Sequence, residues 1–200
     1  MKKNIYYSLL ISAMVSVSAA EETRQVDKHE HGVGELNIAI EGNAIDFEFF
    51  IPGADIVGFE YEAKTESDIA LVNAALEKFE KFDNIFSLPE SSNCNLVNSE
   101  IGINQDDDHD DHDDHDDHDD HDDHDDHDDH DDHDEEAHNE FVAHYSFNCG
   151  NIKEIDRISF PYFTTFPNSG ELEVQFVSEI GSTSFEVEGD EPFIDLKGKI

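Results

Sequence analysis

Nine histidines stand at His109, His112, His115, His118, His121, His124, His127, His130 and His133, every third position without a break, with two aspartates between each and the next. Neutral imidazole nitrogens beside carboxylates are a ligand set for borderline divalent metals, and the surrounding negative potential both draws in a dication and stabilises its complex. The spacing therefore predicts several loosely held ions. Residues 106–136 contain only Asp, His and Glu, so no apolar side chain is present to bury a face, and a helix would set Asp against Asp at successive turns. An extended, hydrated chain is the expected metal-free state. Each coordination event must then order several residues at about 1–2 kcal/mol apiece, which lowers affinity relative to a preformed site. Protons compete as well: an imidazole binds metal only when neutral, and the flanking carboxylates favour its charged form, so uptake by the tract should weaken in mild acid.

The identity of the ion follows from the donors. Calcium gains nothing from imidazole, and the run lacks the spaced glycine of calcium loops. Copper(I) prefers thioether sulfur, and the two methionines, Met1 and Met14, both lie at the extreme N-terminus. Nickel and copper(II) suit histidine and stay open, with Zn2+ the leading expectation. A merely solubilising acidic spacer would need Asp alone.

Four further histidines lie outside the tract: His29 and His31 just before the first predicted strand, and His138 and His144 on the strand that follows the tract. Residues two apart in an extended segment project to one side, and His138 and His144 share parity with Val142, opposite the Tyr145 and Cys149 face. Two such pairs on adjacent strands would build a nitrogen-rich site of three or four ligands, with Glu30, Glu35 or Glu140 as an oxygen ligand or as acceptor of an imidazole N–H. The alternative of exposed polar residues at strand ends stays open.

The elements that must position these side chains are read from periodicity. Leu36, Ile38 and Ile40 alternate with polar neighbours, Gly42-Asn43 marks a turn, and Ile45, Phe47, Phe49 and Ile51 share one face before Pro52 and Gly53, which predicts an antiparallel hairpin over 34–52. Thr65 to Asp68 resembles a capping box, and Ile69, Val72, Leu76 and Phe79 recur at helical spacing, predicting a helix over 66–82. Strands are expected at about 94–103 and 141–149, so the tract interrupts neighbouring strands; further strands follow at about 171–178, 183–188 and 193–197. Pro161 allows at most a short helix or turn within 153–166. The fold class is α+β: one domain over 21–105 and 137–200, an antiparallel sheet packed by one or two helices, with a disordered His/Asp-rich insertion at 106–136.

Bulk charge and the N-terminus bound the function further. The 200 residues carry 51 acidic side chains against 11 Lys and Arg, a formal charge of −40, which excludes the electrostatic footprint of a nucleic-acid or anionic-membrane binder. Met1-Lys2-Lys3, an apolar stretch from Ile5 to Val17 and Ser18-Ala19-Ala20 have the order of a secretory signal, with cleavage expected before Glu21. That stretch is shorter than the roughly 20 residues a membrane span needs. The expected address is the periplasm, where Cys94 and Cys149 would pair. Their bridge would close a loop of about 56 residues, for which chain entropy gives about 4 kcal/mol of stabilisation. The chain has no His-Glu-x-x-His, no Gly-x-Ser-x-Gly, no phosphate-cradling glycine loop and no Cys-x-x-Cys, so no catalytic role is expected.

The segments HEHGVGELNIAIEGN, FEFFIPGADIVGFEYEAKTESD and HNEFVAHYSFNC resemble the ZrgA-like family of periplasmic zinc-uptake proteins of Gram-negative bacteria. The resemblance rests on His29, His31 and Gly32 before a hairpin, on Gly58-Phe59-Glu60 before a helix, on the His/Asp-rich insertion, and on His138 with Tyr145, Phe147 and Cys149. It implies tight zinc binding by the folded part and delivery of zinc to an uptake system, with an inner-membrane metal transporter as recipient, and it makes the insertion an accessory. Where relatives often carry Gly-Phe-Glu-His, this chain has Tyr61, so no ligand is carried over there. Two rival functions are a storage or detoxification buffer for zinc, nickel or copper(II), and an acidic calcium-binding or protein-interaction module.

Overall fold

Alternating apolar residues on both sides of a tight turn build the first two strands, β1 (Val33–Glu41) and β2 (Ala44–Pro52), paired antiparallel around Gly42 at φ 58°. Every apolar residue selected by that alternation, from Leu36 to Ile51, is buried on one face. The computed structural model describes residues 32–105 and 139–200. The expected signal segment at 1–20, His29, His31, the nine tract histidines and His138 lie outside the described residues.

The chain continues through α1 (Gly53–Val57), α2 (Glu66–Phe79), β3 (Cys94–Gln105), β4 (Asn139–Cys149), β5 (Arg157–Ser159), α3 (Tyr162–Thr165), β6 (Glu171–Ser178), β7 (Gly181–Glu188) and β8 (Phe193–Asp195). Six strands form one sheet in the order β3-β4-β2-β1-β6-β7, and β5 pairs with β8 apart from it. The α+β class holds, but the expectation of an antiparallel sheet is corrected. β1 and β6 are parallel, which makes the sheet mixed. After β4 the chain crosses back to the end where β1 starts, and a parallel neighbour requires such a crossover. Ile152, Ile155, Ile158, Phe160, Tyr162 and Phe166 on that crossover are all buried, so the connection itself lays a lid of side chains into the core.

The helix α2 is started by Thr65, whose Oγ1 accepts the Asp68 N–H at 3.2 Å. It turns Val72, Ala75 and Phe79 inward, whereas Ile69 is 44% exposed and not part of the buried stripe its spacing suggested. The helix ends at Phe79, short of the expected 82, and the chain tightens into a 3-10 turn at Phe82–Asn84. Phe79 stacks on Phe166 with ring centroids 4.9 Å apart, and its carbonyl accepts the Tyr145 hydroxyl from β4. Burial pushes that phenol far above its ordinary pKa, so it remains a donor. The end of the helix is thereby tied to the strand that leaves the tract.

Cys94 and Cys149 face each other across β3 and β4 and form the expected disulfide. From that bridge the two strands stay paired to Gln105 and Asn139, with one register shift at Leu96/Asn98. The tract thus joins neighbouring strands at the end opposite the disulfide. Among the described residues no helix is long and apolar enough to cross a membrane.

Candidate metal centre

Strand direction decides which candidate histidines can meet. β2 is antiparallel to both β1 and β4, so β1 and β4 run the same way and begin at the same end of the sheet. β1 is preceded by Gly32, the residue after His31, and β4 begins with Asn139, the residue after His138. Gln105, the last described residue before the tract, is paired with Asn139. Three junctions of the chain therefore fall at one end: the start of β1, which follows His31, the end of β3, which precedes the tract, and the start of β4, which follows His138. The strands are not adjacent as the sequence suggested, since β2 lies between them. Two interstrand spacings, about 10 Å, separate β1 from β4.

The segment Gly53–Tyr61 braces both of these strand starts. Asp55 is 4% exposed, and its Oδ1 accepts the Gly32 N–H at 3.0 Å. The Glu60 carbonyl accepts the Asn139 N–H at 2.8 Å, and the Tyr61 carbonyl accepts from the Asn139 side-chain amide. A side chain at Gly53 would meet the Phe59 carbonyl at 2.6 Å and the Asn139 carbonyl at 2.9 Å, so only glycine permits this contact of backbones. A buried carboxylate and two carbonyls thus fix the residues that follow His31 and His138.

Of the oxygen donors expected from sequence, Glu140 is at this end, where Asn104 Nδ2 approaches its Oε2 at 3.4 Å, and Glu35 lies two residues into β1 on the outer face. Glu30 lies outside the described residues. Sequence reasoning missed Asp55 and Asn139, because strand alternation stops at Pro52 and the contacts of both residues are with distant parts of the chain. Among the described residues no three His, Cys, Asp or Glu side chains converge on a metal position, so a complete centre here requires donors from outside them.

His144 is elsewhere. It sits on the outer face of β4 between Glu48 of β2 and Glu100 of β3, with Nε2 3.2 Å from Glu48 Oε1 and its side chain 46% exposed. Glu48 also accepts from Asn37 Nδ2 at 3.3 Å. Five residues of strand separate His144 from Asn139, about 17 Å at about 3.3 Å per residue.

The model of the ZrgA family zinc uptake protein matches residues 28–196. The chain belongs to the ZrgA family. No curated protein matches it significantly. The ZrgA match begins just before His29 and runs through the tract and all eight strands of the described residues, so the sheet end and the insertion both lie inside the family's span. Membership gives the chain a role connected with zinc and sets calcium and a purely protein-binding module behind it. For this ZrgA chain, His144→Ala is expected to leave zinc affinity unchanged and to alter stability by no more than about 0.5 kcal/mol, as for other exposed cross-strand pairs. A chelator-competition titration that found a tenfold loss would place His144 among the zinc ligands.

Proposed function

We propose that this ZrgA-family chain captures zinc in the periplasm and supports its uptake, through a structured site at the end of the sheet where β1 and β4 begin and a low-affinity antenna at His109–His133. The observation that carries the reading is the pairing of Gln105 with Asn139 beside Gly32 and Asp55, which anchors both ends of the tract next to the residues that follow His31 and His138. His29, His31 and His138 would supply the nitrogen ligands. An ion held anywhere on the tract is then tethered close to the tighter site, and its effective concentration there exceeds that of free zinc in the surroundings. The antenna gathers, the sheet end holds, and a metal transporter in the inner membrane receives.

The Cys94–Cys149 bridge fits export to an oxidising compartment, as does the signal-like segment at 1–20. No catalytic role is proposed; zinc is cargo. Deletion of 106–136 is expected to cut the number of zinc ions bound while sparing the tightest one, measured by calorimetry on the mature chain. Loss of all tight binding in that variant would overturn the division of labour. Nine loop histidines also suit a buffer whose purpose is capacity. A strain lacking the protein should then fail in zinc excess, whereas the uptake reading expects failure in zinc starvation.

A further inference from the structure

The side of the sheet away from the core takes the other half of each strand's alternation, and its permanent charges are all negative. None of the six strands of this sheet carries Lys or Arg. Lys78 and Lys199 lie over the rings of Phe166 and Phe185, which belong to the core side. Strand pairing sets carboxylates directly against one another on the outer face: Glu35, Glu173 and Glu186 form one row across β1, β6 and β7. Like charges opposed in this way destabilise a sheet, so the row is kept at a cost to the fold. A cation brought by a partner relieves that repulsion.

The rows beside it form a hollow. Val177, Ala39, Asp46 and Ser146 stand opposite one another on β6, β1, β2 and β4. Short Ala39 and Ser146, next to the taller row of Asn37, Glu48 and His144, leave an open cavity of about 310 Å³. Asp46 and Glu48 both line it, two residues apart on β2 and therefore about 7 Å from each other. Ser146 Oγ donates to Asp46 Oδ1, and Asn37 Nδ2 donates to Glu48 Oε2. These neutral donors orient the carboxylates without cancelling their charge. Val177, 51% exposed, and Ala39 add apolar surface to the hollow. That combination fits a long side chain with an aliphatic stem and a cationic head, and the planar fork of arginine matches carboxylates best. No three metal-ligating side chains converge here among the described residues, and a second copy of the chain would bring charge of the same sign. We propose that the outer face across β2, β1 and β6 docks an arginine-bearing segment of a partner protein. One arginine enters the cavity between Asp46 and Glu48, and a second cation meets the row of Glu35, Glu173 and Glu186. This surface does not depend on where the zinc site lies.

An NMR titration of the isotope-labelled full chain with a peptide of alternating arginine and serine tests the assignment, because it reads each residue separately. The amides of Ala39, Ser146 and Val177 report the sheet face independently of the tract. They are expected to shift saturably with the arginine peptide and to stay unmoved with the same peptide carrying neutral citrulline. Asp46→Asn with Glu48→Gln should weaken that binding at least about tenfold. Glu77→Gln with Glu80→Gln, an equal change of charge on exposed residues at the end of α2, should alter it less than about twofold. Glu173→Gln should weaken binding and raise the melting temperature together, as a charge kept for a partner requires. Shifts confined to 106–136, equal losses in the two double variants, or a Glu173→Gln protein with unchanged binding would each overturn the proposal.

Discussion

Replacing His29, His31 and His138 together by alanine is expected to lower the affinity of the folded part for zinc at least about a thousandfold, equivalent to about 4 kcal/mol. The size follows from coordination. Zinc bound by a structured set of protein ligands is worth about 10–16 kcal/mol near neutral pH, and the carbonyls and carboxylates that remain at the sheet end are poorer donors for this ion than imidazole. The substitutions should spare the metal-free fold, because the core is built from residues such as Leu36, Phe49, Phe141 and Tyr145, none of which is altered. The measurement belongs in a background lacking 106–136, where the nine loop histidines do not mask the loss. Competition against a chelator of known affinity would read it directly. Tight binding that survives all three substitutions would move the site away from this end of the sheet.

Removing the disulfide should produce the largest change in stability. Cys94→Ser with Cys149→Ser is expected to cost about 3–4 kcal/mol, since the bridge closes a loop of about 56 residues in the unfolded chain. At about 2–4 °C per kcal/mol for a chain of this size, the melting temperature should fall by roughly 6–16 °C. β3 is an edge strand held by β4 alone, and its residues from Asn95 to Glu100 are exposed, so little side-chain burial compensates for the lost bridge. Deleting 106–136 in the oxidised protein shortens the closed loop to about 25 residues and should reduce the contribution of the bridge by about 0.7 kcal/mol. Thermal melts of oxidised, reduced and double-serine protein would test this, and coincident melts would show that the bridge adds nothing. Zinc affinity should change little, because the bridge lies at the opposite end of the ladder from Gln105 and Asn139.

The parts of the fold that were legible in the sequence are those with a strong local period. The hairpin of β1 and β2, the helix α2 and the alternation of β4 all follow from residues a few positions apart, and their bounds agree with the sequence reading to within a few residues. Direction and neighbourhood are not encoded at that range. Leu172, Val174 and Phe176 alternate identically whether β6 runs parallel or antiparallel to β1, and the long crossover through Tyr162 decides between the two. The insertion of β2 between β1 and β4 is equally silent, so the two histidine pairs looked like neighbours when only the strand starts share an end. The metal-binding character proposed for the tract rests on composition alone, because it needs no fold. The contacts of Asp55 and Asn139 could not be read at that range, since their partners lie 23 and 78 residues away.

The closure of the β3–β4 ladder also says how this protein can change over generations. With the flanks pinned at Gln105 and Asn139, doubling the number of residues between them adds only about 0.6 kcal/mol to the entropy of closure by the random-loop relation. Gain or loss of a single Asp-Asp-His triplet costs far less than that. The copy number of the triplet is therefore nearly neutral for folding, and under the proposed antenna role selection can adjust ion capacity one unit at a time without retuning a single core residue.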